Sequence, residues 1–399
     1  MTRLIHLSAV SLALCAQSVA QAAEYFIAGN DEKIFWDASG NTLFLPDNDK
    51  DTIDILKIGD DRSRPEIVAT LTVENSIFGP PTNAAISPDQ KFAYVANSMK
   101  WVEADGKWSA VPNNEIHVLS LGKKSKLLKT IKLSEMGQQP SGMDLTADGK
   151  YLLVGNRAGK SVLVFEVSGA DLEEVASIDV GSPAAGITIE PNGKRALFLK
   201  KPEHKVGILY LDFEAGKFSH DPAEDINVGQ EPYNVCVSPL GDIALVNNQG
   251  PTGGNDGNVD TVSVIDLTGA RPYVCDQVVV GDGPEGLAFS PDGKFAVSIC
   301  INGSQNAKAN PVNAWAANEG ALAAILKIDG KSVEKVAAYE VGGMAEGAVF
   351  TQDGEYLYLG NFLSGDLSVL KRVGDSYELL PERVELSGHP GWMRGVEKW

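Results

Sequence analysis

The sequence predicts an all-β fold, a seven-bladed β-propeller with four antiparallel strands in each blade. Three observations predict it. One hairpin pattern recurs seven times, the copies lie at the spacing of a four-stranded repeat, and no long amphipathic helical pattern separates them. Length is permissive, since 399 residues suit two or three ordinary domains or one large β-domain.

The first element is a leader. Arg3 precedes an apolar run from Leu4 to Leu14, and Ala20-Gln21-Ala22 supplies the small residues of a secretory cleavage site. The chain therefore divides into a signal peptide at 1–22 and a single propeller domain at 23–399, exported to a periplasm. The apolar run is shorter than the roughly 20 residues of a membrane-spanning helix, and no later segment supplies a span. Cys15 follows Leu14, where lipid attachment needs a small residue.

Charge narrows the partners. With 34 Lys and Arg against 53 Asp and Glu, the net charge is −19. Such a surface repels nucleic acid and anionic membrane and favours basic partners or simple solubility.

The repeat itself is clearest from Pro284 to Val297, two strands joined by the turn Ser290-Pro291-Asp292-Gly293. Equivalent turns are anchored at Gly40, Gln90, Gly149, Gly193, Gly241 and Gly354, with successive spacings of 50, 59, 44, 48, 52 and 61 residues. Proline fixes φ, Asp or Asn caps the turn and Gly accepts positive φ. The apolar runs that follow, Phe92 to Ala96 and Tyr151 to Val154, suit strands covered on both faces by neighbouring blades. Third strands such as Ser161 to Phe165 and fourth strands such as Gln277 to Val280 complete each blade. Closing the ring removes exposed sheet edges. A last segment, Gly388 to Gly395, resembles the start of another copy and is expected to pair with Glu24 to Ile27.

The string Phe92-Ala93-Tyr94-Val95-Ala96-Asn97 resembles the signature of the YVTN propeller repeats, and Ser290 to Lys294 resembles the turn before it. The resemblance spans about residues 30 to 370. The Gly-His and Trp-Asp pairs of WD40 blades are missing. What the YVTN resemblance implies is a fold, for such folds host hydrolases, dehydrogenase subunits, lyases and pure binders.

Topology places candidate site residues on the face opposite the short turns. The connections between second and third strands expand there at about 98–114, 248–258 and 300–319, and long loops on a rigid scaffold carry function. They hold Trp101, Trp108 and Trp315, either as a recognition surface or as a lid burying its own aromatics. Ser141, Tyr233, Glu285 and Glu346 enter the inner strands; Asp47, Asn97, Asn156, Asn248, Cys300 and Asn361 leave the second strands. All are expected near the channel mouth, although repeated Asn also suits turn capping. From the closing segment, His389, Trp392 and Arg394 are expected to reach the same mouth, or Trp392 to pack in the seam.

Cofactor signals are few. Of the cysteines beyond the leader, Cys236, Cys275 and Cys300 match no zinc spacing, and there is no haem-attachment, P-loop or dinucleotide motif. Cys236 is expected near Cys300, with Cys275 too far away to bridge to it. His117, His204, His220 and His389 share no metal-ligand spacing, which leaves a divalent cation on oxygen ligands as the open possibility.

Two functions compete. One is a periplasmic binding or scaffold protein whose long loops hold a partner protein or small ligand. The other is an enzyme: the resemblance implies a seven-bladed lactonase, in which Glu285, Glu346, His389 and Arg394 would polarise and open a lactone. A further alternative is the cofactor-free propeller subunit of an amine-dehydrogenase-like complex.

Overall fold

A computed structural model describes residues 24–45, 51–134, 138–251, 255–304 and 306–397. The predicted leader lies outside the described residues. Seven antiparallel sheets form the blades, six of four strands and that of blade 4 of five, because the short strand Ile226–Asn227 pairs with Lys205–Asp212 beside Lys217–His220. Blade 1 is closed by both ends of the chain, in the order Pro390–Gly395, Glu24–Asn30, Thr52–Ile58 and Glu66–Thr72 from the inside outward. Blades 2 to 7 each use consecutive strands, with inner strands Ala84–Ile86, Pro140–Leu145, Ala184–Ile189, Pro232–Val237, Pro284–Phe289 and Ala345–Phe350. Among the described residues the only helical turns are short 3₁₀ segments.

The expected pairing of Gly388–Gly395 with the N-terminal segment holds: Phe26 faces Gly395 and Gly29 faces Trp392. One expectation is corrected. The hairpin anchored at Gly40, Ile34–Trp36 with Thr42–Phe44, pairs with no blade. Its turn is set locally, with Asp37 accepting from the Ser39 and Asn41 amides at 2.8 and 2.9 Å, and a local turn does not specify which sheet its strands join. It decorates the connection between the second and third strands of blade 1, whose inner pair needs no turn because the chain termini supply it.

Four of the six true turns, those of Ser87, Thr146, Ser290 and Thr351, share one device. Ser290 Oγ donates to Asp292 at 2.7 Å while accepting from the Phe295 amide, and Asp292 accepts from the Lys294 amide at 3.1 Å. Thr351 and Asp353 repeat the pattern. Gly293 sits at φ +68°, where a Cβ costs about 1–2 kcal/mol. Gly293→Ala is therefore expected to lose about that much stability in denaturant titration, and no measurable loss would show that the turn relaxes. Blade 2 places Gln90 at φ +56° instead; its side-chain amide oxygen accepts from the Tyr25 amide at 2.8 Å, tying that turn to the closing blade.

Burial follows position in the blade. Second strands such as Phe295–Cys300 are buried along their whole length, whereas outer strands such as Asp171–Asp179 alternate with solvent. That is the pattern of sheets packed face to face around a ring.

The connection from blade 1 into blade 2 enters the channel. Gly79 O accepts from the Tyr233 hydroxyl at 3.0 Å across the ring, Ile77 packs on Gly391, Pro80 on Gly186 and Thr82 on Gly142. Residues 77–82 thus touch the inner strands of blades 1, 3, 4 and 5 and stopper the channel. The blade 1 seam beside it is held by a buried Lys33, which pairs with Asp31 at 3.1 Å and with Asp51 and donates to Asn75 O.

Candidate functional site

Second-strand ends separate two kinds of side chain. Asn156, Asn248 and Asn361 turn into their own blades, donating to Ser161, Ser263 and Ser368 at 3.0, 3.0 and 2.9 Å. Each bonds a hydroxyl of the third strand, so the expectation that they point into the channel does not hold. In blade 1 the equivalent is Asn30, which donates to Asp54 at 3.0 Å; Asp47, expected in that position, lies outside the described residues. Cys300 takes the same place in blade 6, wholly buried in an apolar cluster against Gly281. Burial raises its pKa far above that of a free thiol. Asn97 is likewise wholly buried.

The residue just past the strand end, not the last strand residue itself, faces the mouth. Arg157, Lys201 and Gln249 follow Asn156, Lys200 and Asn248 in this way, and they gather around Tyr233 and Glu285. Lys201 Nζ lies 4.7 Å over the Tyr233 ring and 3.5 Å from Glu231. It donates to Gln249 Oε1 at 2.7 Å, and Gln249 Nε2 donates to Glu285 at 2.8 Å. Glu285 is hydrogen-bonded to Glu346. Arg157 forms no ion pair among the described residues. Ser141 Oγ and Glu346 Oε2 are buried without a hydrogen-bond partner among the described residues, and Ser141 sits beside Gly79 of the stopper.

The electrostatics divide the two carboxyls. Burial raises Glu285, opposed by its hydrogen bond to Glu346, by the Lys201 charge and by Gln249. Burial and the Glu285 charge push Glu346 well above the carboxylate range. Two carboxyls coupled in this way hold one proton between them over the pH range between their two titrations. Burial, with the charges of Glu285 and Glu346, also keeps Tyr233 protonated.

The remaining candidates sit elsewhere. His389 pairs with Glu32 at 2.8 Å and packs in tilted contact with Phe35 and Phe362. Arg394 lies lower in the channel, 3.4 Å from Asp144 and 2.8 Å from Glu397, because the inner strand descends from Pro390 to Gly395. It borders a cavity of about 80 Å³ below the stopper, shared with Cys236, Thr82 and Met393. The site expected from Glu285, Glu346, His389 and Arg394 together is thus not assembled; only its two glutamates meet. Trp392 is wholly buried in the seam.

The loop aromatics mostly form a lid. Trp101 is 9% exposed and packs on Phe44 and Phe78, and Trp108 joins the same cluster. Trp315 differs at 73% exposed. Where the 255–260 loop meets the entry to blade 6, Asp282 accepts from the Gly257 amide and Asp260 from the Gly283 amide, both at 2.9 Å, so backbone groups use these carboxylates. No cluster of three or more potential metal ligands occurs among the described residues, and no helix among them is long and apolar enough to cross a membrane.

All three described thiols are free. Cys236 donates to Leu287 O at 3.2 Å, and Cys275 alone is exposed. Cys275 is expected to react first with a thiol reagent under native conditions, the other two only on unfolding. Equal rates for all three would contradict this burial order.

Comparison with known proteins agrees with the architecture. The family model described as lactonase, 7-bladed beta-propeller matches residues 33–239. A Bacteroides fragilis protein assigned provisionally as a 6-phosphogluconolactonase is similar in structure, with a TM-score of 0.69 and 16% identity over 95% of this chain and 99% of its own. The periplasmic gluconolactonase of Pseudomonas aeruginosa is similar at a TM-score of 0.63 and 16% identity, over 94% of this chain and 99% of its own. Hydrazine synthase from Kuenenia stuttgartiensis is similar at 0.57 and 19%, over 80% and 90%. At such identities the structural likeness shows the fold alone. No curated protein sequence matches the chain.

Proposed function

The chain belongs to the seven-bladed β-propeller lactonase family, and from that premise we propose that it hydrolyses a lactone at the upper mouth of its channel. The observation that carries the proposal is the Glu285–Glu346 pair beside Arg157, Lys201 and Tyr233. The ionised member takes a proton from water as the water oxygen attacks the lactone carbonyl. Arg157, free of any ion pair among the described residues, is the cation available to the developing oxyanion. The ring C–O bond then breaks, and the protonated member gives its proton to the departing alkoxide. Lactone and water become one hydroxy acid, and the pair holds one proton before and after.

A binding or scaffold role drew on the unequal loops. With Trp101 buried and Trp108 half-buried in the lid, that observation loses much of its weight. Sugar-acid lactones are the substrate class proposed, since lactonases are among the structural neighbours. Export through the 1–22 leader to the periplasm, and a repeat of the YVTN type, remain parts of the same proposal. The test is continuous titration of the acid released from gluconolactone and 6-phosphogluconolactone. A rate above spontaneous hydrolysis that disappears in Glu285→Gln supports the reading; equal rates with and without protein, across several lactones, would sink it.

A further inference from the structure

We infer that Gln249 is a positioning residue that decides which of the two paired carboxyls holds the proton. The inference rests on the lactonase reading for its effect on rate, but not for the location of the proton. Lys201 sets the polarity of the relay because an ammonium can only donate. Its Nζ lies 2.7 Å from the Gln249 side chain, so the amide oxygen must face it. The amide NH₂ is then committed to the opposite end, 2.8 Å from Glu285 Oε1, and Glu285 must accept. A carboxyl already accepting from an amide and lying near an ammonium is better ionised. The proton in the Glu285–Glu346 hydrogen bond therefore belongs to Glu346.

Other groups around the pair are consistent with this polarity. Tyr233 spends its hydroxyl hydrogen on Gly79 O and gives none to Glu285. Arg157 and Glu231 complete the charged surroundings, with Glu231 3.5 Å from Lys201. Glu346 is 3% exposed and its Oε2 has no hydrogen-bond partner among the described residues, a setting that favours the neutral acid. Sequence position hides the device, because Lys201, Gln249, Glu285 and Glu346 come from four different blades.

The readout is the ¹³C shift of labelled glutamate side chains in the full chain, titrated across neutral pH, with Glu285→Gln and Glu346→Gln assigning the signals. The wild type is expected to show Glu285 ionised and Glu346 protonated at pH 7. In Gln249→Leu, ionisation of Glu285 is expected to move up by about one to two pH units, from loss of a hydrogen bond to a charged group. The acidic limb of kcat/KM should move with it. A wild type with the proton on Glu285, or a Gln249→Leu titration that does not move, overturns the inference. Should Gln249→Leu fail to fold, Gln249→Glu carries the test: its carboxyl can face Lys201 but cannot donate to Glu285 when ionised, so the same upward movement is expected and its absence is fatal. If the titrations behave as stated and no lactone is hydrolysed, the proton assignment stands and the proposed function falls.

Discussion

Glu285→Gln is expected to lower kcat/KM for lactone hydrolysis by about 10²–10⁴-fold, the usual contribution of a positioned acid or base, with the fold intact. Glu346→Gln should lose a comparable factor, since the amide keeps the hydrogen-bonding shape but has no proton to give. The wild-type profile should be bell-shaped. Activity rises as pH passes the raised pKa of Glu285 and falls only when Glu346 ionises, well above the carboxylate range. A flat profile, or a Glu346→Gln enzyme of full activity, would remove the pair from the mechanism.

The same shift predicts a stability effect that needs no substrate. Glu346 binds its proton more tightly folded than unfolded, so its contribution to stability is present at acidic pH. That contribution is lost as pH rises from the unfolded value near 4.3 toward the raised folded one. Glu346→Gln should therefore be relatively more stable than wild type at pH 9 than at pH 4, measured by denaturant titration at both. A difference independent of pH would mean the carboxyl is not held protonated.

Trp392→Ala is expected to cost about 3–5 kcal/mol, the range for removing a buried Trp, a large part of the roughly 5–15 kcal/mol that holds a domain. The indole lies in the one place where the ring is joined by non-covalent contacts alone. It faces Gly29 across the closing pair, where a Cβ would fall 2.0 Å from the ring, so the inner and second strands of blade 1 fit only as Gly against Trp. Its Nε1 donates to Asn75 Oδ1 at 3.1 Å. Asn75 in turn donates to Asn30 O at 3.0 Å and Val73 O at 3.1 Å, binding both chain ends to the segment that leads into the stopper. Trp392→Phe keeps most of the packing and gives up the hydrogen bond, so a smaller loss is expected. If the Ala variant unfolds at the wild-type denaturant midpoint, closure does not depend on this seam.

Local chemistry carried the sequence reading a long way. Ser/Thr-x-Asp-Gly turns are defined by neighbours within five residues, and apolar second strands identify themselves by composition, so blade number and strand order were legible. The Gly40 hairpin shows the limit: its turn is as well formed as any other, yet only sheet pairing reveals that it belongs to no blade. The same limit displaced the site by one residue. The repeated Asn156 and Asn248, which stand out in the sequence, staple their blades, whereas Arg157 and Gln249, one residue past the strand ends, reach the channel mouth.

What the sequence by itself determined was therefore the ring: its turns, its strand periodicity, its seven blades and the meeting of its two ends. Tertiary structure alone decided the rest. Lys201, Gln249, Glu285 and Glu346 converge because inner ends of separate blades meet on one axis. Arg394 and His389 part from them because of height and angle on a single strand, and residues 77–82 stopper the channel because a blade connection bends inward. These are distances between residues far apart in the chain, and no local pattern encodes them, because only packing of the complete ring sets them.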